Sequence, residues 1–310
     1  MEHWDLIIIG AGPAGLAAGI YAGRNELKTL IFEEKLPGGE AAVTPLVENY
    51  PGFESISGPE LTEKMVSHCK KFGAQINELE RVRSLDVGNQ KKFVKTDKGG
   101  YSASAIIIAT GTHYRLLNVP GEDEFKGRGV SYCTLCDGAF FKGKRVIVVG
   151  GGNSAATSAN YLSNVAANVK LVHRKNQLRA EKAYFEALKT NKVEFLWNSE
   201  VKEIRGDNIV RSVALLNVKT GKTEEVKVDG VFIQVGEIPN TRFVKEAGVA
   251  VDKEGYIIVD SRQRTSTDGV FAAGDVTNKP IKQIGTAIGQ AIVAATESFG
   301  YIKRPYYYED

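Results

Sequence analysis

The sequence predicts an α/β protein made of two dinucleotide-binding units of parallel sheet and helix, one inserted into the other. Three observations carry this. An apolar strand at residues 4–10 runs into Gly10-Ala11-Gly12-Pro13-Ala14-Gly15. The same pattern returns at residues 144–150 and runs into Gly150-Gly151-Gly152-Asn153-Ser154-Ala155. A late apolar strand at residues 269–273 ends in Gly274-Asp275, which fits a first unit that resumes after an insertion. Glycines between a strand and a helix let the backbone approach a pyrophosphate at the helix N-terminus. The expected architecture is two Rossmann-like units. Residues 1–115 with 245–310 form the first, and residues 116–244 the second.

Length and composition set the class. A chain of 310 residues is long enough for two cores. With 43% hydrophobic and 25% charged residues it reads as an ordinary soluble globular protein. A net charge of +3 gives no reason to expect nucleic acid. Apolar runs such as Leu6-Ile7-Ile8-Ile9 are strand-sized, so no membrane span is expected. The first strand begins within about five residues of the start, too early for a signal peptide. With three cysteines and no export signal, the expected location is the reducing cytoplasm. A Cys-x-x-Cys there is catalytic or metal-binding more often than structural.

Taken in order, the first glycine turn leads into an Ala-rich helix at residues 16–24 and a strand at 28–33 that closes on Glu33. Residues 37–52 are loop-rich. A helix at 58–72 carries His68 and Cys69; Cys69 reads as a packed thiol, and His68 and His113 as structural. Residues 105–111 form a buried strand ending in a glycine turn, and residues 112–122 read as an irregular linker. Cys133 and Cys136 follow, with Asp137 beside them. The second glycine turn leads into a helix reaching residue 163 and a strand at 169–173. Further strands fill residues 193–235, then a turn at 237–240. A helix at 284–299 ends the regular pattern. The tail at 306–310 reads as frayed, the alternative being a segment folded over a cofactor or partner.

Two cysteines three positions apart can close a small, readily exchanged disulfide. An adjacent acid can take and return the proton that thiol chemistry needs. The two glycine turns select different nucleotides. Glu33 follows Gly10, and His173 follows Gly150, by the same 23 residues. That position ends the second strand, where the ribose 2′ group is read. A carboxylate accepts from a free 2′-OH and repels a 2′-phosphate, and cations do the reverse. Glu33 therefore fits FAD or NAD, whereas His173-Arg174-Lys175 with Arg179 fits NADPH. A solvated basic face is the plainer reading of residues 173–179, and their place in a βαβ unit argues against it. FAD is preferred at the first turn, because flavin can accept hydride from nicotinamide and pass electrons to a disulfide. Asp275 suits a ribityl or pyrophosphate contact.

Nearly the whole chain resembles the low-molecular-weight, prokaryotic-type thioredoxin reductases. The resemblance rests on Gly10 to Gly15, Val47-Glu48-Asn49-Tyr50-Pro51-Gly52, Ala109-Thr110-Gly111, Tyr132-Cys133-Thr134-Leu135-Cys136-Asp137-Gly138, Gly150 to Ala155, His173-Arg174-Lys175 with Arg179, and Ala272-Ala273-Gly274-Asp275. A Cys-x-x-Cys inside the pyridine-nucleotide unit is the mark of that family. The resemblance implies a homodimer with one FAD per subunit, and thioredoxin or a thioredoxin-like protein as partner. It places Asn49, Val82, Thr110, Gly111, Gly274, Asp275, Gln283 and Ile284 near the flavin nucleotide, with the loop Gly38-Gly39-Glu40. It implies that Cys136 meets the flavin, Cys133 attacks thioredoxin and Asp137 is the acid and base. Three positions depart from the pattern. Glu40 replaces a common Gln. Ala156-Thr157-Ser158 stands where a Glu is usual. Lys175 replaces a common Arg, which weakens bidentate phosphate contact.

Two other enzymatic readings and one binding reading compete. The partner could be a glutaredoxin-like or peroxide-system disulfide protein, although the peroxide-system relatives carry extra N-terminal domains. The donor could be a reduced deazaflavin, as in members with altered nucleotide sites; the basic cluster favours NADPH. A nucleotide-sensing scaffold with half a zinc site would need two more ligands. Cys69 is the one remaining cysteine and no histidine pair has ligand spacing, so no metal is expected.

Overall fold

Leu6, Ile7 and Ile8 are fully buried, as a parallel strand covered on both faces requires. The computed structural model describes residues 2–44, 46–88, 90–191 and 193–304. The Tyr-rich tail at 306–310 lies outside them. The chain forms two units, Met1–His113 with Ile238–Asp310, and Tyr114–Glu237.

In chain order the first unit opens with β1 (His3–Ile9), α1 (Pro13–Arg24), β2 (Thr29–Phe32), α2 (Gly58–Lys71) and β3 (Gln75–Asn77). It continues with β4 (Val82–Asp86), β5 (Lys92–Thr96) and β6 (Gly100–Ile108), and a short strand β7 (Thr112–Tyr114) follows. The second unit contains β8 (Val130–Ser131), α3 (Thr134–Asp137), β9 (Arg145–Gly150), α4 (Asn153–Ser163), β10 (Asn168–His173) and α5 (Lys182–Thr190). After these come β11 (Glu194–Trp197), β12 (Ser199–Gly206), β13 (Val210–Asn217), β14 (Thr223–Lys227) and β15 (Gly230–Gln234). The chain returns through β16 (Glu237–Pro239) and α6 (Arg242–Glu246) to β17 (Val270–Ala272) and α7 (Ile284–Lys303).

Among the described residues the first unit holds a sheet in the order β3-β2-β1-β6-β5-β4, with β17 also paired to β6. The pairs around β1 and the β17–β6 pair are parallel, and β4 and β5 add antiparallel strands. The second unit holds a parallel sheet in the order β11-β10-β9-β15-β8, beside an antiparallel sheet β12-β13-β14. Strands β7 and β16 pair with each other.

Local chemistry explains where the elements begin and pack. Helix α1 starts at Pro13, earlier than the Ala-rich run predicts, because a first-turn proline loses no helical hydrogen bond. Gly19 lets α2 approach α1: a Cβ there would stand 2.6 Å from Cys69 Sγ. Ser57 Oγ caps α2 by accepting the Glu60 N–H at 3.3 Å. Gln283 and Thr286 form a capping box on α7, which runs past residue 299 to Lys303. Among the described residues, no helix is long and apolar enough to cross a membrane.

Candidate functional site

Both glycine turns occupy the predicted strand-to-helix junctions, Gly10 to Gly15 after β1 and Gly150 to Ala155 after β9. Neither α1 nor α4 has a side-chain cap on its N-terminus. Their first N–H groups are the orphan donors that a phosphate satisfies. The cradle is open where a pyrophosphate would lie. A Cβ on Gly12 would meet one atom, Gly39 Cα at 3.9 Å, and a Cβ on Gly152 would meet nothing within 4 Å. These turns therefore fit dinucleotides.

Glu33 directly follows β2. Its Oε2 accepts the Ala11 N–H at 2.8 Å and its Oε1 the Lys35 N–H at 2.9 Å. A carboxylate offers about four lone-pair sites, so acceptors remain for ribose hydroxyls. Gly38 and Gly39 have φ of +121° and +57°, and the Gly38 N–H donates to the Ala11 carbonyl at 2.8 Å. This ties the exposed Glu40 segment to the first turn. Gly274 lies close to the same turn, since its added Cβ would stand 2.9 Å from Ala14 Cβ. Asp275 follows it directly, and its carbonyl accepts Lys282 Nζ at 2.6 Å. Asn49 Nδ2 donates to Gln283 Oε1 at 3.0 Å, with Ile284 next at the start of α7. Gly111 has open space around it. Val82 is buried in β4 among core side chains.

Two residues carry no signal in the sequence. Asn240 Nδ2 donates to the Thr110 carbonyl at 2.8 Å, its N–H donates to the Gly111 carbonyl at 3.1 Å, and its carbonyl accepts Thr110 Oγ at 2.9 Å. His113 Nδ1 lies 2.8 Å from Asn240 Oδ1. Gln290 Oε1 accepts the Gly274 N–H at 2.8 Å and holds the Asp275 turn. Neither is marked by a local spacing, because the partners of each come from another part of the chain.

In the second unit the basic segment is tied to the glycine turn twice. The Arg179 N–H donates to the Gly151 carbonyl at 2.7 Å. Asn153 and Glu181 bond reciprocally, Asn153 Nδ2 to Glu181 Oε1 at 2.9 Å and Glu181 N–H to Asn153 Oδ1 at 3.0 Å. Ser154 is exposed beside Asn153, and Ala155 is buried. Arg174, Lys175 and Arg179 are exposed. His173 differs from the expectation. Its ring is buried against Gly151, where a Cβ would stand 2.2 Å from His173 Cε1. Burial first, and then Arg179 and Arg174, lower its proton affinity. The cationic character lies in Arg174, Lys175 and Arg179, and the imidazole is held neutral.

Cys133 and Cys136 are joined as a disulfide with Cα atoms 5.3 Å apart. The ring straddles α3, and Cys133 Sγ accepts the Cys136 N–H at 3.2 Å. The residue before it is firmly held. Tyr132 OH donates to the buried Glu122 at 2.8 Å, its carbonyl accepts Gln234 Nε2 at 2.8 Å, and its ring stacks on Tyr114 at 5.0 Å. Asp137 is half-buried, and burial raises its proton affinity. A carboxyl whose proton affinity is raised is better suited to protonate a thiolate than an ordinary surface carboxylate. Cys69, in contrast, is buried under α1, and burial pushes its thiol up to about 12.

Comparison with known proteins agrees with this geometry. Residues 4–291 match the family described as pyridine nucleotide-disulphide oxidoreductase. The chain is 47% identical to a thioredoxin reductase of Bacillus subtilis, over 97% of this chain and 95% of the relative. It superposes on a thioredoxin reductase structure from Streptococcus pyogenes with a TM-score of 0.93 at 44% identity, covering 98% of this chain and 99% of the other. A Giardia duodenalis thioredoxin reductase gives a TM-score of 0.93 at 37% identity, over 98% and 100%. The chain belongs to the pyridine nucleotide-disulphide oxidoreductases, FAD-binding and NADPH-using, and among them to the low-molecular-weight thioredoxin reductases.

Proposed function

We propose a division of labour between the two units. The chain is a thioredoxin-disulfide reductase that takes electrons from NADPH through FAD. The first unit holds FAD, with Gly10, Gly12 and Gly15 at the pyrophosphate, Glu33 on the ribose, and Asn49, Asp275 and Gln283 towards the flavin. The second unit holds NADPH, with Gly150, Gly152 and Asn153 at the pyrophosphate and Arg174, Lys175 and Arg179 on the 2′-phosphate. Bound flavin supplies the conversion between hydride from nicotinamide and electrons for a disulfide.

The chain's own residues do the thiol work. Once the disulfide is reduced, Cys133 as thiolate attacks the partner disulfide, forming one S–S bond and breaking another. The sulfur that leaves is protonated from Asp137. Cys136 then attacks Cys133 Sγ, releases the reduced partner and re-forms the internal disulfide. The family resemblance supports a homodimer and a cytoplasmic location, which sedimentation and fractionation test.

The observation that carries this reading is the Cys133–Cys136 disulfide beside a half-buried carboxyl, in a unit with its own basic nucleotide turn. Cys136→Ser is the direct test. NADPH should still bleach the bound flavin, and thioredoxin reduction should be abolished. Full turnover with thioredoxin would overturn the assignment.

A further inference from the structure

The chain that delivers Cys133 is anchored through the residue before it. Tyr132 is buried. Its OH donates to Glu122 Oε1 at 2.8 Å, and its carbonyl accepts Gln234 Nε2 at 2.8 Å. Its ring lies 5.0 Å from that of Tyr114, with Lys126 Nζ 5.6 Å from its centroid. One residue on, the Cys133 N–H donates to Ser131 Oγ at 3.1 Å. The other cysteine is held more lightly. Cys136 sits on the four-residue α3, next to the exposed Leu135.

Glu122 is the buried far end of this anchor. Its Oε1 also accepts the Leu117 N–H at 2.9 Å. Its Oε2 accepts the Asn118 N–H at 2.7 Å and the Val119 N–H at 3.5 Å. All four partners are donors, and a carboxylate can accept from all of them at once. An amide in its place would turn its own N–H groups against at least one backbone N–H. Burial first, and then the bond to Glu122, raise the proton affinity of Tyr132, so the phenol remains the donor.

We propose that Glu122 and Tyr132 are positioning residues for the redox disulfide: they hold the Cys133 main chain so that Cys136 meets Cys133 Sγ at high effective concentration when the internal disulfide re-forms. In that step the Cys136 thiolate attacks Cys133 Sγ, the bond from Cys133 to the partner breaks, and the Cys133–Cys136 bond forms. The partner's sulfur leaves as a thiolate and takes up the proton that Cys136 gave up. Held groups react as if concentrated, and a loosened group loses that advantage. Loosening Cys133 changes the closed ring little, because the S–S bond itself confines it. The open dithiol gains freedom, so the balance shifts towards the open form. The inference rests on the reading of Cys133 as the attacking thiol.

The test uses the FAD-loaded protein as wild type, Tyr132→Phe and Glu122→Gln. Leu188→Ala is the destabilised control, since Leu188 is buried in the other core cluster of the same unit. Each protein is equilibrated with reduced and oxidised glutathione, and open and closed dithiols are counted by alkylation and mass. In Tyr132→Phe the constant for ring closure should fall by about fivefold to tenfold, the size of one buried hydrogen bond. The mixed disulfide of Cys133 with glutathione should also persist longer. Glu122→Gln should move both readouts the same way, and Leu188→Ala should leave both at wild-type values. A wild-type constant in Tyr132→Phe, or an equal shift in Leu188→Ala, overturns the proposal. Should Tyr132→Phe fail to fold, Gln234→Leu cuts the carbonyl contact and gives the same contrast. A wild type that does not reduce thioredoxin overturns the functional reading instead, and the glutathione readouts still decide the anchor.

Discussion

The two glycine turns follow one plan and part at its two ends. At Gly15 an added Cβ would stand 1.8 Å from the Gly10 carbonyl oxygen, so α1 crosses against the backbone of its own turn. The second turn carries a methyl at the equivalent Ala155, fully buried. At the far end, Glu33 hangs its carboxyl group from the Ala11 and Lys35 N–H groups. His173 packs its ring under Gly151, and the charge moves on to Arg174, Lys175 and Arg179. The lesson is that a βαβ unit sets a phosphate's position through its backbone. Which nucleotide it accepts depends on where the first free charge falls after the second strand.

The largest expected effect breaks the first end of this comparison. Gly15→Ala meets a backbone oxygen, which cannot swing aside as a side chain can. Strain of about 1–3 kcal/mol or more would displace α1 from the pyrophosphate. The variant should purify colourless and fail to take up FAD, as absorbance after reconstitution would report. The reciprocal Ala155→Gly should cost about 1 kcal/mol through helix propensity and leave NADPH binding nearly intact. Equal tolerance at both positions would remove the distinction drawn between the turns.

The next effect tests the charge end. Arg174→Ala with Arg179→Ala removes the two arginines proposed to hold a 2′-phosphate. Charge-assisted hydrogen bonds of this kind predict a rise of about tenfold to a hundredfold in KM for NADPH. KM for NADH should hardly change. An unchanged ratio of the two would reject a 2′-phosphate site at these residues, and a parallel assay with reduced deazaflavin would then identify the donor.

Much of the fold and of the candidate site is legible in the sequence, and the exceptions have a common cause. The glycine turns, the strand-end pair Glu33 and His173, and Cys133-x-x-Cys136 all lie in short windows where spacing carries geometry. The inserted unit is legible because its βαβ pattern repeats. For His173 the spacing marks the end of the second strand, whereas the burial of its ring under Gly151 is not legible there. A strand-end position does not reveal whether a ring points to solvent or folds under the neighbouring turn. Residues 112–122 read as irregular because the β7–β16 pairing joins segments far apart in the chain. Asn240 and Gln290 are silent for a related reason. Each is an ordinary polar residue whose meaning comes from a backbone group that the fold brings to it.

His173 supplies the smallest test and a distinct one. If the ring contributed charge to the nucleotide, KM for NADPH would rise as the pH climbs through the ordinary histidine range near 6.5. Burial, reinforced by Arg179 and Arg174, holds the ring neutral there. KM for NADPH should therefore show no histidine step in that range, and His173→Asn should leave the NADPH to NADH preference as it is. The linkage appears in stability instead. The folded ring resists a proton that the unfolded chain accepts below its ordinary value of 6.5. Stability from this residue is thus complete above that pH and declines as the pH falls below it. Chemical denaturation of wild type and His173→Asn on both sides of that value would measure the difference. A steeper acid loss in wild type supports the packed, neutral ring. Equal profiles, with a pH-dependent KM for NADPH, would return His173 to the cationic cluster and make the two strand ends alike in using their own side chains to read the ribose.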